Sequence, residues 1–245
     1  MDWITPVNSS GRFIAPASQK QAFCVETKLR KKKNVIPDVN GVRIVPYNVH
    51  FWKGPLGTWI TKTNNLDSVV SVLEKLDADV VCLQEVTNRL DWRTPILSMG
   101  YDICEPDSKH DGTFNVILSR LGFKSPTNNW IENRPEISCH IPGVGLVMNI
   151  HPDVVPGRFR QIQKSLKSSE KVSGPVFLCG DFNSTRDELC VEHYTFNDPN
   201  EYTNWTGKEI DFIISRGLIS QACGIMYDAS SDHLPVWVDV FQKNY

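Results

Sequence analysis

The segment VFLCGDFNS, residues 176–184, runs from four apolar residues directly into Asp181 and Asn183. A short apolar run that ends at a glycine is typical of a buried β-strand, so the carboxylate and the amide stand where that strand ends. The same arrangement, an apolar run bordered by a polar side chain, recurs at Asn48, Glu85, His151, Asp211, Asp232 and His233. If these strands lie side by side in a sheet, their ends line up, so we expect these side chains to meet at one rim of an α/β domain.

Apolar runs and helical spacings alternate along the chain, which predicts one α/β domain. Strands are expected at residues 42–49, 80–83, 116–118, 144–150, 176–179, 210–214 and 236–241. An amphipathic helix is expected at the apolar positions Leu66, Val69, Val70, Leu73 and Leu76, and a second at Phe159, Ile162 and Leu166. Asn64 or Asn65 is the expected N-cap of the first helix. Pro46 lacks a backbone N–H, so we expect it to interrupt the first strand.

The chain has 245 residues, 40% hydrophobic and 22% charged, a balance typical of one globular domain. We assign residues 1–40 to a partly basic N-terminal extension and residues 41–245 to the α/β domain. The extension could form an edge strand near Phe23 and Val25, and it holds the basic run KLRKKK at 28–33. This run could contact phosphates or act as a nuclear address, but a solvated charged turn is the interpretation we favour.

The charge balance and the cysteine pattern limit the class of protein. With 26 basic and 28 acidic residues the net charge is −2, which excludes a basic surface over the whole molecule but not a local basic groove. Seven cysteines without a Cys-x-x-Cys pair indicate reduced thiols rather than a disulfide framework. The sequence shows neither a signal peptide nor an apolar stretch of membrane-spanning length. We therefore expect a cytoplasmic or nuclear monomer.

Four carboxylates belong to the expected rim, those of Glu85, Asp181, Asp211 and Asp232. Gathered in one cleft they would repel one another strongly unless a cation lay among them. Carboxylate and amide oxygens are hard ligands, which favours Mg²⁺, with Mn²⁺ as a substitute, over Zn²⁺. Histidines at the same rim add a proton carrier and a hydrogen-bond donor. This combination predicts the hydrolysis of phosphate esters.

Seven short segments carry a family resemblance: YNV (47–49), LQEV (83–86), ILSR (117–120), NIH (149–151), GDFNS (180–184), IDFI (210–213) and SDHLP (231–235). In this order, and over roughly residues 41–243, the chain resembles the endonuclease/exonuclease/phosphatase superfamily, which has the DNase I-like fold. The resemblance implies a four-layered α/β sandwich, in which two mixed β-sheets lie face to face with helices outside. It also implies a catalytic site at one rim.

The resemblance further implies a Mg²⁺ site. Glu85 resembles the principal metal ligand of the family, and Asn48 resembles a residue beside it that contacts metal or substrate phosphate. Asp232 is similar to a residue that contributes to a second metal position or to the charge of the site. Asn115 ends the segment TFN at 113–115, where the family frequently has a glycine, and we assign it to substrate binding.

The catalytic roles also come from the resemblance. Asp181 resembles the residue that positions or deprotonates the attacking water, and Asn183 resembles one that binds a phosphate oxygen. His233 resembles the general base or transition-state stabiliser, which Asp211 orients. His151 resembles a second histidine that contacts the substrate phosphate.

These roles predict a Mg²⁺-dependent phosphodiesterase that hydrolyses nucleic acid, single-stranded or end-structured, by in-line attack of metal-activated water. One alternative is a phosphatase or phosphodiesterase for a small or lipid-linked phosphate. Another is a catalytically silent copy of the fold that only binds. The first motif, YNVHF at 47–51, does not match the Trp-Asn-x-x-Gly of abasic-site nucleases. The choice between DNA and RNA, and between internal and terminal cleavage, is left open.

Other polar and aromatic residues near the motifs are given no catalytic role. Arg158 and Gln161, one helical turn apart, match a structural pattern of the family. Phe51 and Trp52 could stack on a nucleobase, but we expect core packing for both. His50 belongs to no motif and is expected to be an ordinary surface or core residue.

Overall fold

The computed structural model describes residues 41–54, 64–106, 112–131, 134–154, 157–189, 191–218, 220–228 and 230–241. These residues form two β-sheets of six strands each, accompanied by a few helices. The expected extension of residues 1–40, with its edge strand and its basic run at 28–33, lies outside the described residues. The division of the chain into an extension and a domain therefore stays a prediction.

The strands within the described ranges are, in chain order, β1 (Val42–Asn48), β2 (Val80–Val86), β3 (Asp102–Cys104), β4 (Phe114–Ser119), β5 (Lys124–Ile131), β6 (Arg134–Ile141), β7 (Gly145–Ile150), β8 (Val176–Asp181), β9 (Thr195–Phe196), β10 (Asp211–Arg216), β11 (Ser220–Ile225) and β12 (Val236–Val240). The helices there are α1 (Leu66–Leu76), α2 (Arg93–Ser98) and α3 (Arg158–Ser169). Single 3₁₀ turns lie at His50–Trp52 and Arg186–Glu188. None of these helices is long and apolar enough to cross a membrane.

Each sheet is built around one pair of parallel strands. The first sheet has the order β11-β12-β1-β2-β4-β3 and the second the order β5-β6-β7-β8-β10-β9. The parallel pairs are β1 with β2 and β7 with β8, and the other neighbours are antiparallel. A parallel pair needs a crossover connection, which α1 supplies in the first sheet and α3 in the second. Because β1 and β8 end at one edge, the polar residues at their carboxyl ends can meet there.

Three apolar cores separate four layers. The apolar face of α1, including Leu73, packs on the outer face of the first sheet. Between the sheets lies a second core, in which Val80 of the first sheet and Phe177 of the second are fully buried. Ile162 of α3 packs with Leu178 on the outer face of the second sheet. The predicted four-layered sandwich of two mixed sheets flanked by helices is confirmed.

The first strand differs from its prediction. Pro46 does not interrupt β1, which runs without a break and aligns Pro46 with Cys82 of β2. β12 pairs with β1 only as far as Ile44. Beyond Ile44 one side of β1 has no ladder, so a residue without an N–H is tolerated there. Five strands (β3, β5, β6, β9 and β11) and the helix α2 have no counterpart in the sequence prediction.

Two buried amide side chains join the sheets just below the rim. Nε2 of Gln84, in β2, donates a hydrogen bond to Oδ1 of Asn149, in β7, at 2.7 Å. Nδ2 of Asn149 donates in turn to the carbonyl oxygens of Leu83 at 2.9 Å and Val116 at 2.7 Å. Both amides are fully buried. These bonds tie β7 of the second sheet to two strands of the first, at the edge where the polar residues stand.

Replacing Asn149 is expected to lower the free energy of unfolding by about 2–5 kcal/mol, because Asn149→Ala leaves several buried polar groups without partners. Urea denaturation measures this loss. Asn197→Ala is the matched control, since Asn197 is also buried and bonded to backbone and side-chain oxygens. Both variants should lose stability, but only Asn149→Ala should shift the NMR signals of the rim residues Glu85 and His151. A loss below about 1 kcal/mol would contradict the role of Asn149.

Candidate active site

Asp181, the last residue of β8, is the centre of a group of polar side chains. Its Oδ2 accepts a hydrogen bond from Nδ2 of Asn48 at 3.1 Å. The same oxygen lies 3.5 Å from Nε2 of His151 and 3.6 Å from Nε2 of His233. Its Oδ1 accepts a hydrogen bond from the backbone amide of Asn183 at 2.8 Å. Residues from four separate motifs therefore meet at one carboxylate, which is only 2% exposed.

Glu85 joins this group through a kink in β2. The register of β2 against β4 shifts between Leu83 and Val86, and Glu85 has a φ of 56°. Such a bulge re-aims a side chain, and a non-glycine residue in the left-handed region costs about 1–3 kcal/mol. Oε1 of Glu85 lies 3.2 Å from Nδ2 of Asn48 and 3.7 Å from Nε2 of His151. The strained backbone thus brings a second carboxylate to the group.

His233 and Asp211 form a buried pair beside the two carboxylates. Asp211 begins β10 and lies opposite Asp181 in the register of β10 with β8. Its Oδ2 lies 2.9 Å from Nδ1 of His233 and accepts a hydrogen bond from Oγ1 of Thr203 at 2.6 Å. Because Nδ1 of His233 faces a carboxylate, it carries a proton and donates, and Asp211 holds the ring so that Nε2 faces Asp181.

The charges of this pair follow from its surroundings. Burial disfavours a charged imidazole, but the carboxylates of Asp211 and Asp181 outweigh it and raise the pKa of His233 well above its usual value. Burial raises the pKa of Asp211 to about 6, although the imidazolium of His233 opposes this rise. These surroundings favour an imidazolium beside a carboxylate.

Asn183 stands in the loop after β8 with a φ of 49°, a conformation that asparagine tolerates. Its Nδ2 donates a hydrogen bond to the carbonyl oxygen of Pro152 at 2.9 Å. Its own carbonyl oxygen accepts one from Nη1 of Arg158 at 2.7 Å, and Arg158 also contacts Glu188. Arg158 therefore holds the loop that carries Asn183. Phosphate binding by Asn183 stays a prediction.

His50 contacts both Asn48 and Asp232. Oδ1 of Asn48 accepts a hydrogen bond from the backbone amide of His50 at 3.0 Å. Asp232 is at the margin of the group, with its side chain 35% exposed and its Oδ1 3.4 Å from Nδ1 of His50. Sequence reasoning missed His50, whose one signal is its position two residues after Asn48. The predicted metal contacts of Asn48 and Asp232 stay predictions.

The structure does not bring Asn115 into this group. Asn115 is 1% exposed, and its Nδ2 donates a hydrogen bond to the carbonyl oxygen of Pro135 at 2.9 Å. Because Pro135 belongs to β6 and Asn115 to β4, this bond joins the two sheets. The assignment of Asn115 to substrate binding therefore has no support from its contacts.

The group opens into a cleft of about 440 Å³. The predicted residues that line this cleft are Glu85, His151, Asp181, Asn183 and His233. Its other walls include two arginines, two threonines and two apolar side chains, namely Arg89, Arg134, Thr87, Thr113, Phe51 and Val154. The cleft therefore combines carboxylates, proton donors, positive charge and an apolar surface.

Two sets of donors at the cleft suit a metal ion. Asp181, Asp211 and His233 offer ligand atoms that lie within 4.8 Å of one another, and such a group could hold a metal. Asp211, however, already accepts hydrogen bonds from His233 and Thr203. Glu85 instead has a buried oxygen, Oε2, that lacks a hydrogen-bond partner, which is costly unless a cation lies against it. This oxygen and the neighbouring carboxylate fit a hard divalent cation.

Removing the carboxylate of residue 211 is expected to lower the pKa of His233, because Asp211→Asn deletes a negative charge that favours the imidazolium. NMR titration of the Cε1 proton of His233, in protein treated with a chelator, measures the change. The signal of the exposed His140, in β6, serves as the internal reference. An unchanged pKa of His233 in the variant would contradict the proposed pairing.

Comparison with known proteins gives both a family and a fold. The model of the Endonuclease/Exonuclease/phosphatase family matches residues 60–233. TDP2 from Caenorhabditis elegans is 16% identical, over 82% of this chain and 74% of that chain, with a TM-score of 0.67. A mannosyl-6-phosphatase from Bacteroides thetaiotaomicron is 18% identical, over 81% of this chain and 99% of that chain, with a TM-score of 0.64. A search of curated proteins found no match.

At these identities the structural similarities show the fold alone. The family match spans most of the chain. It runs through Glu85, His151, Asp181, Asp211 and His233, and so includes most of the side chains that meet at the site. Members of this superfamily are hydrolytic phosphoesterases. The family match and the two-sheet sandwich lead to the same conclusion, that the chain belongs to the Endonuclease/Exonuclease/phosphatase family.

Proposed function

We propose that the protein is a Mg²⁺-dependent phosphodiesterase that hydrolyses nucleic acid, with single-stranded or end-structured substrates preferred and Mn²⁺ able to substitute. The convergence of Asn48, His151 and His233 on the carboxylate of Asp181 carries this proposal. A buried carboxylate beside two imidazoles can position a water molecule and direct donors at phosphoryl oxygens. These are the protein's contributions to phosphoester hydrolysis.

The proposed mechanism is one displacement at phosphorus. Asp181 orients the attacking water and accepts its proton. The carboxylates of Asp211 and Asp181 favour the protonated imidazole of His233 by raising its pKa, so of its two expected roles we assign it that of hydrogen-bond donor to a phosphoryl oxygen rather than general base. His151, whose Nε2 faces the same carboxylate, contacts a second oxygen. Water attacks in line with the departing ester oxygen, and no covalent intermediate forms.

Glu85 holds the metal in this proposal, with Asn48 beside it and Asp232 at a second position. The buried and unpartnered Oε2 of Glu85 supports this assignment over the alternative donors around Asp211. When bound, a divalent cation supplies Lewis-acid stabilisation of the charge on the phosphoryl group. Nδ2 of Asn48 keeps the two carboxylates, Glu85 and Asp181, in fixed positions by donating to both.

The size and the lining of the cleft favour a substrate larger than a single phosphate. Its volume of about 440 Å³ lies in the range of sites that enclose a nucleotide-sized ligand. Two arginines on its walls, Arg89 and Arg134, add positive charge that suits the phosphates flanking a scissile bond in a polynucleotide, and Arg134 is also paired with Asp153. A small or lipid-linked phosphate and a silent binding copy are the other interpretations, and the activity measurement separates them.

We expect Mg²⁺-dependent cleavage of labelled single-stranded RNA or DNA by the wild type and its loss in a chelator. Asp181→Ala and His233→Ala should each lower kcat/KM by about 10²- to 10⁴-fold, because each removes a group that handles a proton or charge at phosphorus. His140→Ala, which changes an exposed histidine of β6, is the matched control and should keep full activity.

Each other outcome of this experiment has a definite meaning. Cleavage of bis(p-nitrophenyl) phosphate alone, with no polynucleotide cut, would move the assignment to small phosphoesters. No hydrolysis of any substrate with Mg²⁺ or Mn²⁺ would favour the silent binding copy. Full activity of Asp181→Ala would contradict the role of Asp181.

Metal binding can be measured without turnover. Glu85→Gln is expected to weaken Mn²⁺ binding by more than about 10-fold, the loss typical even of residues that only support a ligand. Electron paramagnetic resonance of free Mn²⁺ gives the affinity, and Glu74→Gln on the exposed face of α1 is the control. A greater loss in Asp211→Asn than in Glu85→Gln would assign the metal to the donors around Asp211 instead.

A further inference from the structure

Three consecutive residues beside the site have a left-handed backbone. His50, Phe51 and Trp52 have φ values of 44°, 56° and 62°. Side chains other than glycine rarely adopt this conformation, and three in succession are unusual. We call residues 50–52 the left-handed turn. Such strain persists only where the surroundings enforce it, and it clusters at functional sites.

Hydrogen bonds hold the left-handed turn on several sides. The backbone amide of His50 donates to Oδ1 of Asn48 at 3.0 Å, and its Nδ1 lies 3.0 Å from the carbonyl oxygen of Gly54. Nε1 of Trp52 donates to the carbonyl oxygen of Thr87 at 3.3 Å. Because Asn48 belongs to the site and Thr87 lines the cleft, these bonds fix the turn relative to the carboxylates.

The left-handed turn sends its two large aromatic side chains in different directions. Trp52 is 1% exposed, and its ring stacks on that of Trp92 at 6.2 Å in the core. Phe51 is half-buried and lines the cleft with Glu85 and Asp181. The expectation of core packing therefore holds for Trp52 and is wrong for Phe51.

The ring of Phe51 is held against the wall of the cleft. Nζ of Lys53 lies over the ring at 5.5 Å, and the ring of His50 is 5.4 Å away and tilted by 57°. Val154, which is 59% exposed, adds a second apolar side chain to the same cleft. A bare phosphate makes no favourable contact with such an apolar surface, whereas a phosphoester that carries a flat apolar group can pack against it.

We propose that Phe51 is the platform on which a nucleobase next to the scissile phosphate stacks. This inference rests on the proposed function and identifies the nucleobase as the part of the substrate that the cleft recognises. A phosphate contacted by His151 and His233 keeps its attached nucleoside inside the same cleft, where Phe51 provides the aromatic surface. Every base has a π-face, so stacking of this kind tolerates any sequence.

The backbone of Phe51 supplies a variant that removes the ring without disturbing the fold. Glycine adopts a φ of 56° without steric cost, so Phe51→Gly should relieve strain and keep or raise the melting temperature. Phe51→Tyr keeps a flat ring and should retain function. Phe241→Gly is the matched control, because Phe241 is an exposed aromatic residue just after β12, at the far end of that strand from His233.

The test compares two substrates with the same charged backbone. One is a single-stranded oligonucleotide, and the other is the matching oligomer in which tetrahydrofuran replaces every nucleoside sugar and base. We expect wild type, Phe51→Tyr and Phe241→Gly to cleave the base-bearing strand about 5- to 100-fold faster by kcat/KM. In Phe51→Gly this preference should disappear, because kcat/KM should fall for the base-bearing strand and stay unchanged for the tetrahydrofuran oligomer.

The outcomes distinguish this inference from the function on which it rests. A wild type that hydrolyses bis(p-nitrophenyl) phosphate but neither oligomer would overturn the proposed function and the platform together. Polynucleotide cleavage with an unchanged ratio in Phe51→Gly, or with no preference for bases in the wild type, would overturn the platform alone. A lower melting temperature in Phe51→Gly with equal losses on both substrates would assign Phe51 a purely structural role.

Discussion

The hydrogen bond between the side chains of Gln84 and Asn149, 2.7 Å long, joins the two sheets at the edge that carries the site. Glu85 follows Gln84 directly, and His151 lies two residues after Asn149. The relative position of the sheets therefore sets the 3.7 Å between Oε1 of Glu85 and Nε2 of His151. A displacement of about 1 Å would be enough to spoil the alignment of reacting groups, even with both sheets intact.

Backbone strain is concentrated around this junction. Non-glycine residues with left-handed φ values at the cleft are Phe51, Glu85 and Asn183, and His50 and Trp52 flank Phe51 with the same conformation. Each such residue costs about 1–3 kcal/mol, and the three apolar cores of the sandwich provide the burial that offsets it. A well-packed scaffold thus allows the ends of its strands to hold side chains where the chemistry needs them rather than where the backbone is most relaxed.

Sequence patterns predict the polar residues of the site because each one follows or precedes an apolar run, which is a local signal. Those brought together by the structure are Asn48, Glu85, His151, Asp181, Asp211 and His233. The sequence does not predict the edge strand Lys124–Ile131, because most of its residues are polar and exposed and no apolar alternation marks it. The direction of Phe51 and the inter-sheet bond of Asn115 depend on tertiary contacts that no local pattern encodes.

Direct attack of water on phosphorus, oriented by Asp181 and with no covalent intermediate, is the step on which the proposed mechanism depends. The stereochemistry of the product tests it, using a phosphorothioate diester of one configuration hydrolysed in ¹⁸O-labelled water. A single in-line displacement inverts the configuration at phosphorus, and inversion is the predicted result. Retention, which requires two displacements through a phosphorylated side chain, would contradict the account.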